Sequence, residues 1–212
     1  MSLEHPLSWN DVFEIVKSYD LDKLGRSHED LEDYRKFKKS LEAQKIGITT
    51  NLLIKVLKWL PPDTDMHMPD SESVKLVKYN DPRPFADERD TFITLNDFPY
   101  YISNKTLHML VWIRFPMLPD PNSEIGDIDD DTKRIIEKYV CKTFVDYVGL
   151  SRDQIIWWKN YTKIQSIKAI PHVHVLVNLD DDHDGKLEKK LRSLIGTPGV
   201  LFDYHTPDNS KL

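Results

Sequence analysis

Two histidines, His172 and His174, stand two residues apart in the run HVHVLV. The run is apolar and β-branched, so it reads as a strand, and the period of two puts both imidazoles on one face. A single histidine in such a strand is most often a satisfied core residue, and packing remains the competing reading for the pair. Two imidazoles on one face can also act as a nucleophile, as general acid and base, or as two ligands of a divalent metal. His108, in the strand-like run HMLVW, is the best third member of such a group. No spaced carboxylate or cysteine completes a ligand set, so no metal or other cofactor is assigned.

Other reactive side chains are better read as structure. Residues 180–185 (DDDHDG) match the opening of a calcium loop, but Leu191 stands where a bidentate Glu is required and a strand precedes the run. An acidic surface turn is expected there. Arg83 and Arg89 flank Pro84-Phe85-Ala86 and read as a solvated loop in preference to a phosphate clamp. Cys141, the sole cysteine, excludes an internal disulfide and lies mid-helix without basic neighbours that would activate it. Trp157 and Trp158 must face opposite sides of one strand, with one of them directed under helices or against a ligand ring. Seven glycines form no phosphate-binding loop or dinucleotide fingerprint.

The elements that would position the histidines follow from periodicity. Three helical patterns come first. Ser8 with Asp11 opens one carrying Trp9, Val12, Phe13 and Val16, and Ser27 opens a charged one through Gln44. Thr49 or Thr50 is expected to cap a third, striped by Leu52, Leu53, Val56, Leu57 and Leu60 and stopped by Pro61-Pro62. A polar connector follows to about residue 73. Strands are expected at 91–95, 107–114, 155–159 and 172–179, and a long amphipathic helix at 130–148 that ends at Gly149. A short helix at 186–195 and a loose end finish the chain. The organisation expected is a helical layer and connector (1–73), an α+β core with an antiparallel sheet and a packed helix (74–182), and a C-terminal extension (183–212).

Composition removes several classes of function. The chain has 212 residues, 29 Lys plus Arg against 35 Asp plus Glu, and a net charge of −6, so it lacks the excess cations that general nucleic-acid or anionic-membrane binding needs. With 40% hydrophobic residues it is too apolar for disorder. The most apolar window, 107–118, contains Arg114 and Pro116 and is shorter than the ~20 residues of a membrane span. The N-terminus lacks the pattern of a signal peptide, so the sequons at Asn104 and Asn160 read as chance matches. A cytoplasmic or nuclear protein is expected.

The order of motifs carries two resemblances. Asn96-Asp97-Phe98-Pro99-Tyr100, then His108-Met-Leu-Val, a helix, Asn160, Gln165-Ser166-Ile167 and finally His172-Val-His174 resembles the histidine-triad superfamily of nucleotide hydrolases and transferases, over about residues 88–179. The resemblance implies a small-molecule nucleotide or phosphorylated-sugar ligand and a strand histidine, His172 or His174, that attacks a phosphorus atom. It implies Asn160, Gln165 and Ser166 as donors to the phosphate or leaving group, with Asn96 and His108 lining the pocket. The chain carries two histidines of the three, with Ile170 or Leu176 at the remaining position according to register, and Lys168 to Pro171 lengthen the segment before them. A regulatory or adaptor protein that keeps the fold without the full triad is the alternative. A more extensive resemblance, over most of 8–178, is to the fungal N-acetylglucosamine-induced protein family. Asn96–Tyr100, His108–Trp112, Trp157-Trp-Lys-Asn160 and His172–Val177 carry it, supported by Ser8-Trp9, Leu24-Gly-Arg26 and Trp59. That name implies a link to an amino-sugar response and no reaction.

Overall fold

A computed structural model describes residues 1–103 and 105–204. The expected loose end from residue 205 and the Asn104 sequon therefore lie outside the described residues. Four strands, β1 (Thr91–Leu95), β2 (Thr106–Ile113), β3 (Ile155–Trp158) and β4 (His172–Asn178), form one antiparallel sheet in the order β1-β2-β4-β3. The two histidines of β4 thus lie on a central strand. Trp112 pairs with His172, Leu110 with His174 and Trp158 with His174.

The fold is α+β, and helices cover both faces of the sheet. On one face Met109, Val111, Ile113, Val173, Val175 and Val177 pack against Tyr139, Val140 and Phe144. Those residues come from a helix, α5 (Asp130–Val140), that continues as the π-helical turn Cys141–Tyr147. On the other face Leu110 and Trp112 meet Leu52, Leu53 and Leu57 of the N-terminal layer, while Ile156, Trp158 and Leu176 meet Val12, Leu21 and Leu24. An antiparallel sheet buried on both sides reads as a nearly unbroken apolar run. Histidines set into such a run are therefore enclosed, and His108, His172 and His174 are only 5%, 8% and 6% exposed.

The helical layer forms where capping chemistry allows. Helix α1 (Trp9–Lys17) starts at a capping box in which Ser8 Oγ accepts from Asp11 N–H at 3.2 Å and Ser8 N–H donates back to the Asp11 carboxylate at 2.8 Å. Helix α2 (His28–Ala43) starts at Ser27, whose Oγ accepts from Asp30 N–H at 3.0 Å. The third helix corrects the expectation of a threonine cap. It begins two or three residues earlier, with Gly47 at the cap position of α3 (Ile48–Asn51), and continues as a π-helical turn over Leu52–Val56. Its orphan N–H groups are satisfied from a distance, because the Asp70 carboxylate accepts from Thr49 N–H (3.2 Å), Thr50 N–H (2.8 Å) and Thr50 Oγ1 (2.9 Å). Asp70 itself opens α4 (Asp70–Leu76), a short helix that lies across the end of the expected connector.

The last helix, α6 (Lys186–Arg192), stops three residues short of its expected end. Asp182, from the acidic run, accepts from Leu187 N–H (3.2 Å) and Glu188 N–H (2.9 Å), so the calcium-like segment serves as a helix cap. Arg83 and Arg89 each close on their own loop carboxylate, Asp81 and Asp87, both at 2.6 Å.

Candidate functional site

The face of the sheet that carries the histidines is not sealed by the N-terminal layer. Between the two lies a cavity of about 460 Å³, a volume suited to one small ligand. Its floor is the sheet, with Thr94, Leu110, Trp112, His172 and His174. Asn96, Phe98 and Tyr100, from the segment after β1, make one wall, and Asn160 with Ser166 lies across from it. The layer contributes Arg26 and, from α2, Tyr34 and Phe37. Elements far apart in sequence are thus needed to build a single pocket.

Donor and acceptor chemistry fixes the proton on each ring. The Trp158 indole N–H can only donate, and it gives its proton to Asn160 Oδ1 at 3.1 Å. Asn160 therefore presents Nδ2 to His174 Nε2 at 3.1 Å, which makes that ring nitrogen an acceptor. His174 must then carry its proton on Nδ1, which faces His108 Nε2 at 3.0 Å. The result is a one-way chain from Trp158 through Asn160 and His174 to His108, in which both nitrogens of His174 are occupied. Asn96 Nδ2 lies 3.4 and 3.5 Å from the two nitrogens of His108, both too long for a directed bond, while its Oδ1 accepts from Phe98 N–H at 3.1 Å.

His172 is held differently. Its Nδ1–H donates to the Ile170 carbonyl at 2.9 Å, and its ring packs 4.5 Å from that of Trp112. Nε2 then bears a lone pair and has no hydrogen-bond partner among the described residues. Of the two imidazoles that line the cavity, His172 is the one with a nitrogen free to act on a ligand.

All three rings are held neutral. Burial drives His172 down to about 4, aided by the Lys159 charge and opposed by the Ile170 carbonyl. Burial and the Arg26 charge drive His108 to about 3. His174 is pushed well below the ordinary range, first by burial and then by His108, His172 and Arg26. A neutral ring is what a nucleophile requires, and His172 keeps its lone pair throughout the physiological range.

The site residues expected from sequence fall into three groups. His172, His174, Asn96, Asn160 and Ser166 line the cavity. His108 lies directly behind His174 and acts on the cavity through it. Gln165 does not line the cavity; its amide nitrogen bonds the Asn160 carbonyl, so it positions the loop in place of meeting a ligand. Among the described residues no group of three or more His, Cys, Asp or Glu side chains is arranged to hold a metal ion. Trp158, the tryptophan directed under the helices, stacks on His174 with centroids 5.0 Å apart at 4° and is 3% exposed. Trp157 faces the other way and bonds Glu137. Cys141 donates to the same carboxylate at 3.2 Å, and its thiol is raised by burial and by Glu137. It is a quiet thiol.

Sequence reasoning passed over Arg26 and the aromatic residues around it. Arg26 lies between Tyr34 and Tyr100, its guanidinium 4.8 and 5.5 Å from their ring centroids, and its Nε donates to the Phe98 carbonyl at 2.9 Å. The sole sequence signal was its place in Leu24-Gly-Arg26, a motif read as supporting a family resemblance.

Comparison with known proteins agrees with the more extensive of the two resemblances. The family model described as protein of unknown function (DUF3605) matches residues 8–178. N-acetylglucosamine-induced protein 1 of Candida albicans is 36% identical over 201 residues, covering 94% of this chain and 78% of that protein. An uncharacterised protein of Saccharomyces cerevisiae is 22% identical over 171 residues, covering 80% of this chain and 77% of its own. Among solved structures, that of a protein named HTC1 shares the fold, with a TM-score of 0.68 at 20% identity over 92% of this chain and 99% of the other.

Proposed function

The chain belongs to the DUF3605 family, and from that premise we propose that it binds a nucleotide or nucleotide-sugar in the cavity between the helical layer and the sheet, with His172 as the reacting group. One observation carries the reading. His172 has a neutral ring, an Nδ1 proton tied to the Ile170 carbonyl and an unpartnered Nε2 in a residue that lines the cavity. In the histidine-triad-like mechanism, Nε2 attacks the α-phosphorus, the new P–N bond forms as the bond to the leaving oxygen breaks, and that oxygen takes a proton from solvent. Water then cleaves the P–N bond and restores the imidazole, or a second acceptor takes the nucleotidyl group. Asn160 and Ser166 stand at the cavity as donors, and the aromatic walls suit a base or sugar ring.

The Candida relative is named for induction by N-acetylglucosamine, so phosphorylated amino sugars and their nucleotide conjugates are the first ligands to test. No described helix is long and apolar enough to cross a membrane. Thermal-shift screening of nucleotides, sugar phosphates and sugar nucleotides tests binding, and intact-mass analysis of the incubated protein tests for a nucleotidyl-histidine. Absence of any shift across the panel refutes the reading.

A second reading, ligand binding without turnover in a regulatory or adaptor protein, is favoured by one feature. His174 is fully committed within its chain, so among the described residues no second free imidazole lines the cavity to assist a leaving group. Loss of one such donor typically costs about 10²–10³ in rate. Binding with no adduct and no hydrolysis would select it.

A further inference from the structure

We propose that Arg26 is the ligand-recognition residue of this cavity and selects a small molecule bearing a phosphate or carboxylate group. The inference rests on the cavity being a ligand site, as above, but it does not require that the ligand be a nucleotide or that His172 react. Arg26 lines the cavity and is half-buried. Its backbone is fixed on both sides, since Arg26 N–H donates to the Met1 carbonyl at 3.1 Å and its own carbonyl accepts from Leu3 N–H at 2.8 Å. The side chain is fixed as well, by Tyr34, by Tyr100 and by the Nε bond to Phe98.

What is left over is the recognition surface. A guanidinium has five N–H donors in a planar fork, and here one is used. The four on the two terminal nitrogens have no hydrogen-bond partner among the described residues, although the chain contains 35 carboxylates. Half-buried Lys133, by contrast, meets an opposite charge, the Asp127 carboxylate at 2.8 Å. Asp22 and Asp97 also line the cavity, but both are exposed side chains and neither forms an ion pair with Arg26. A pre-positioned guanidinium with its fork open is suited to bidentate binding of a planar or tetrahedral oxyanion. The rigid stack on two rings means little side-chain freedom is lost when the anion arrives.

Isothermal titration of the full chain with AMP, adenosine, glucose 6-phosphate, glucuronate and glucose tests this. Wild type is expected to bind at least one phosphate ester about tenfold or more tightly than its neutral counterpart, the range of a charge-assisted hydrogen bond. R26Q should bring the members of that pair within about twofold of each other, and R26K should keep part of the preference because it keeps the charge. Raising salt from about 0.05 to 0.5 M should weaken the anion and leave the neutral counterpart unchanged. Glucuronate matching glucose 6-phosphate identifies a carboxylate ligand, and glucuronate matching glucose identifies a phosphate. Equal affinity of each anion and its neutral counterpart in wild type, failure of both esters and of glucuronate to bind, or a preference retained in folded R26Q would overturn the proposal. If R26Q does not fold, an R26K preference equal to that of wild type at both salt concentrations would also overturn it. Preference confined to the sugar pair would refute the nucleotide reading while leaving the role of Arg26 intact.

Discussion

His174 donates its Nδ1 proton to His108 Nε2 across 3.0 Å, although the strand register pairs His174 with Leu110 and His108 with Leu176. The contact is diagonal, between neighbouring strands, and the two rings touch because both lie on the face that looks toward the helical layer. That diagonal bond divides the labour among the histidines. His174 becomes a buried relay with both nitrogens satisfied, and of the two rings that line the cavity His172 is left with a nitrogen to spare.

Stability should begin to fall with pH before the carboxylates start to titrate. Unfolded histidines take up a proton near 6.5, whereas folded His172 and His108 do so only at about 4 and about 3. The unfolded state therefore binds more protons as pH falls below ~6.5, and the stabilising contribution is progressively lost from there down through the folded values. Urea denaturation should give constant stability above pH 7 and a steady decline between about 6.5 and 4.5, with a shallower slope in H172N. Equal stability at about pH 7.5 and 5 would contradict the burial of neutral rings.

Alanine at the two paired positions should have unequal effects. His174→Ala strands the Asn160 amide and the His108 acceptor together and should cost about 2–5 kcal/mol. His172→Ala strands only the Ile170 carbonyl and should cost about 1–2 kcal/mol, while removing any nucleotidyl adduct. Chemical denaturation alongside intact-mass analysis separates the two, and equal destabilisation would argue against the directional chain.

Gly47→Ala should destabilise the cavity roof even though its φ of −69° is ordinary for any residue. A Cβ there would approach Asp70 Oδ1 to 2.0 Å, displacing the carboxylate that caps Thr49 and Thr50. Loss of that cap should cost about 1–2 kcal/mol and weaken ligand binding with it. Asp70→Ala should reproduce the effect without the clash. A G47A protein as stable as wild type would show that the remote cap contributes little.

Glu137 joins the far layer to the sheet. It takes the Arg152 guanidinium in two bonds, 2.7 and 2.9 Å, and accepts from Trp157 and Cys141. Burial raises its pKa, but the Arg152, Trp157 and Cys141 bonds outweigh burial and hold the carboxyl at about 2. Its contribution is present above the unfolded value near 4.3 and is lost as pH falls toward 2, a range that overlaps only the lower end of the histidine window. Glu137→Ala should lower stability by about 1–3 kcal/mol at pH 7 without altering ligand affinity. A change in affinity would connect this far side of the sheet to the cavity.

Much of this arrangement was legible in the residues, for physical reasons. Strand periodicity is strict, so His172 and His174 had to share a face, and Trp157 and Trp158 had to part. Ser8 and Ser27 announced their helices through local hydrogen bonds three residues long. What lay beyond reach was set by distant partners. The cap on α3 comes from Asp70, over twenty positions away, so the local threonines were misread as its source. Arg26 joins the cavity through Phe98, 72 residues on. Gln165 was placed among ligand donors by motif order, yet its neighbour is the Asn160 backbone. The choice between His172 and His174 needed the ring partners, which no spacing encodes.

The central claim is that His172 Nε2 is the free, cavity-facing imidazole nitrogen. Long-range ¹H–¹⁵N NMR of histidine-labelled protein measures it directly by reporting which nitrogen of each ring carries the proton. The account predicts that His172 and His174 are both Nδ1-protonated at pH 7, and that on adding a bound nucleotide or sugar phosphate the His172 Nε2 signal moves more than either nitrogen of His174. A His172 ring protonated on Nε2, or a ligand that shifts His174 and leaves His172 unmoved, would contradict it.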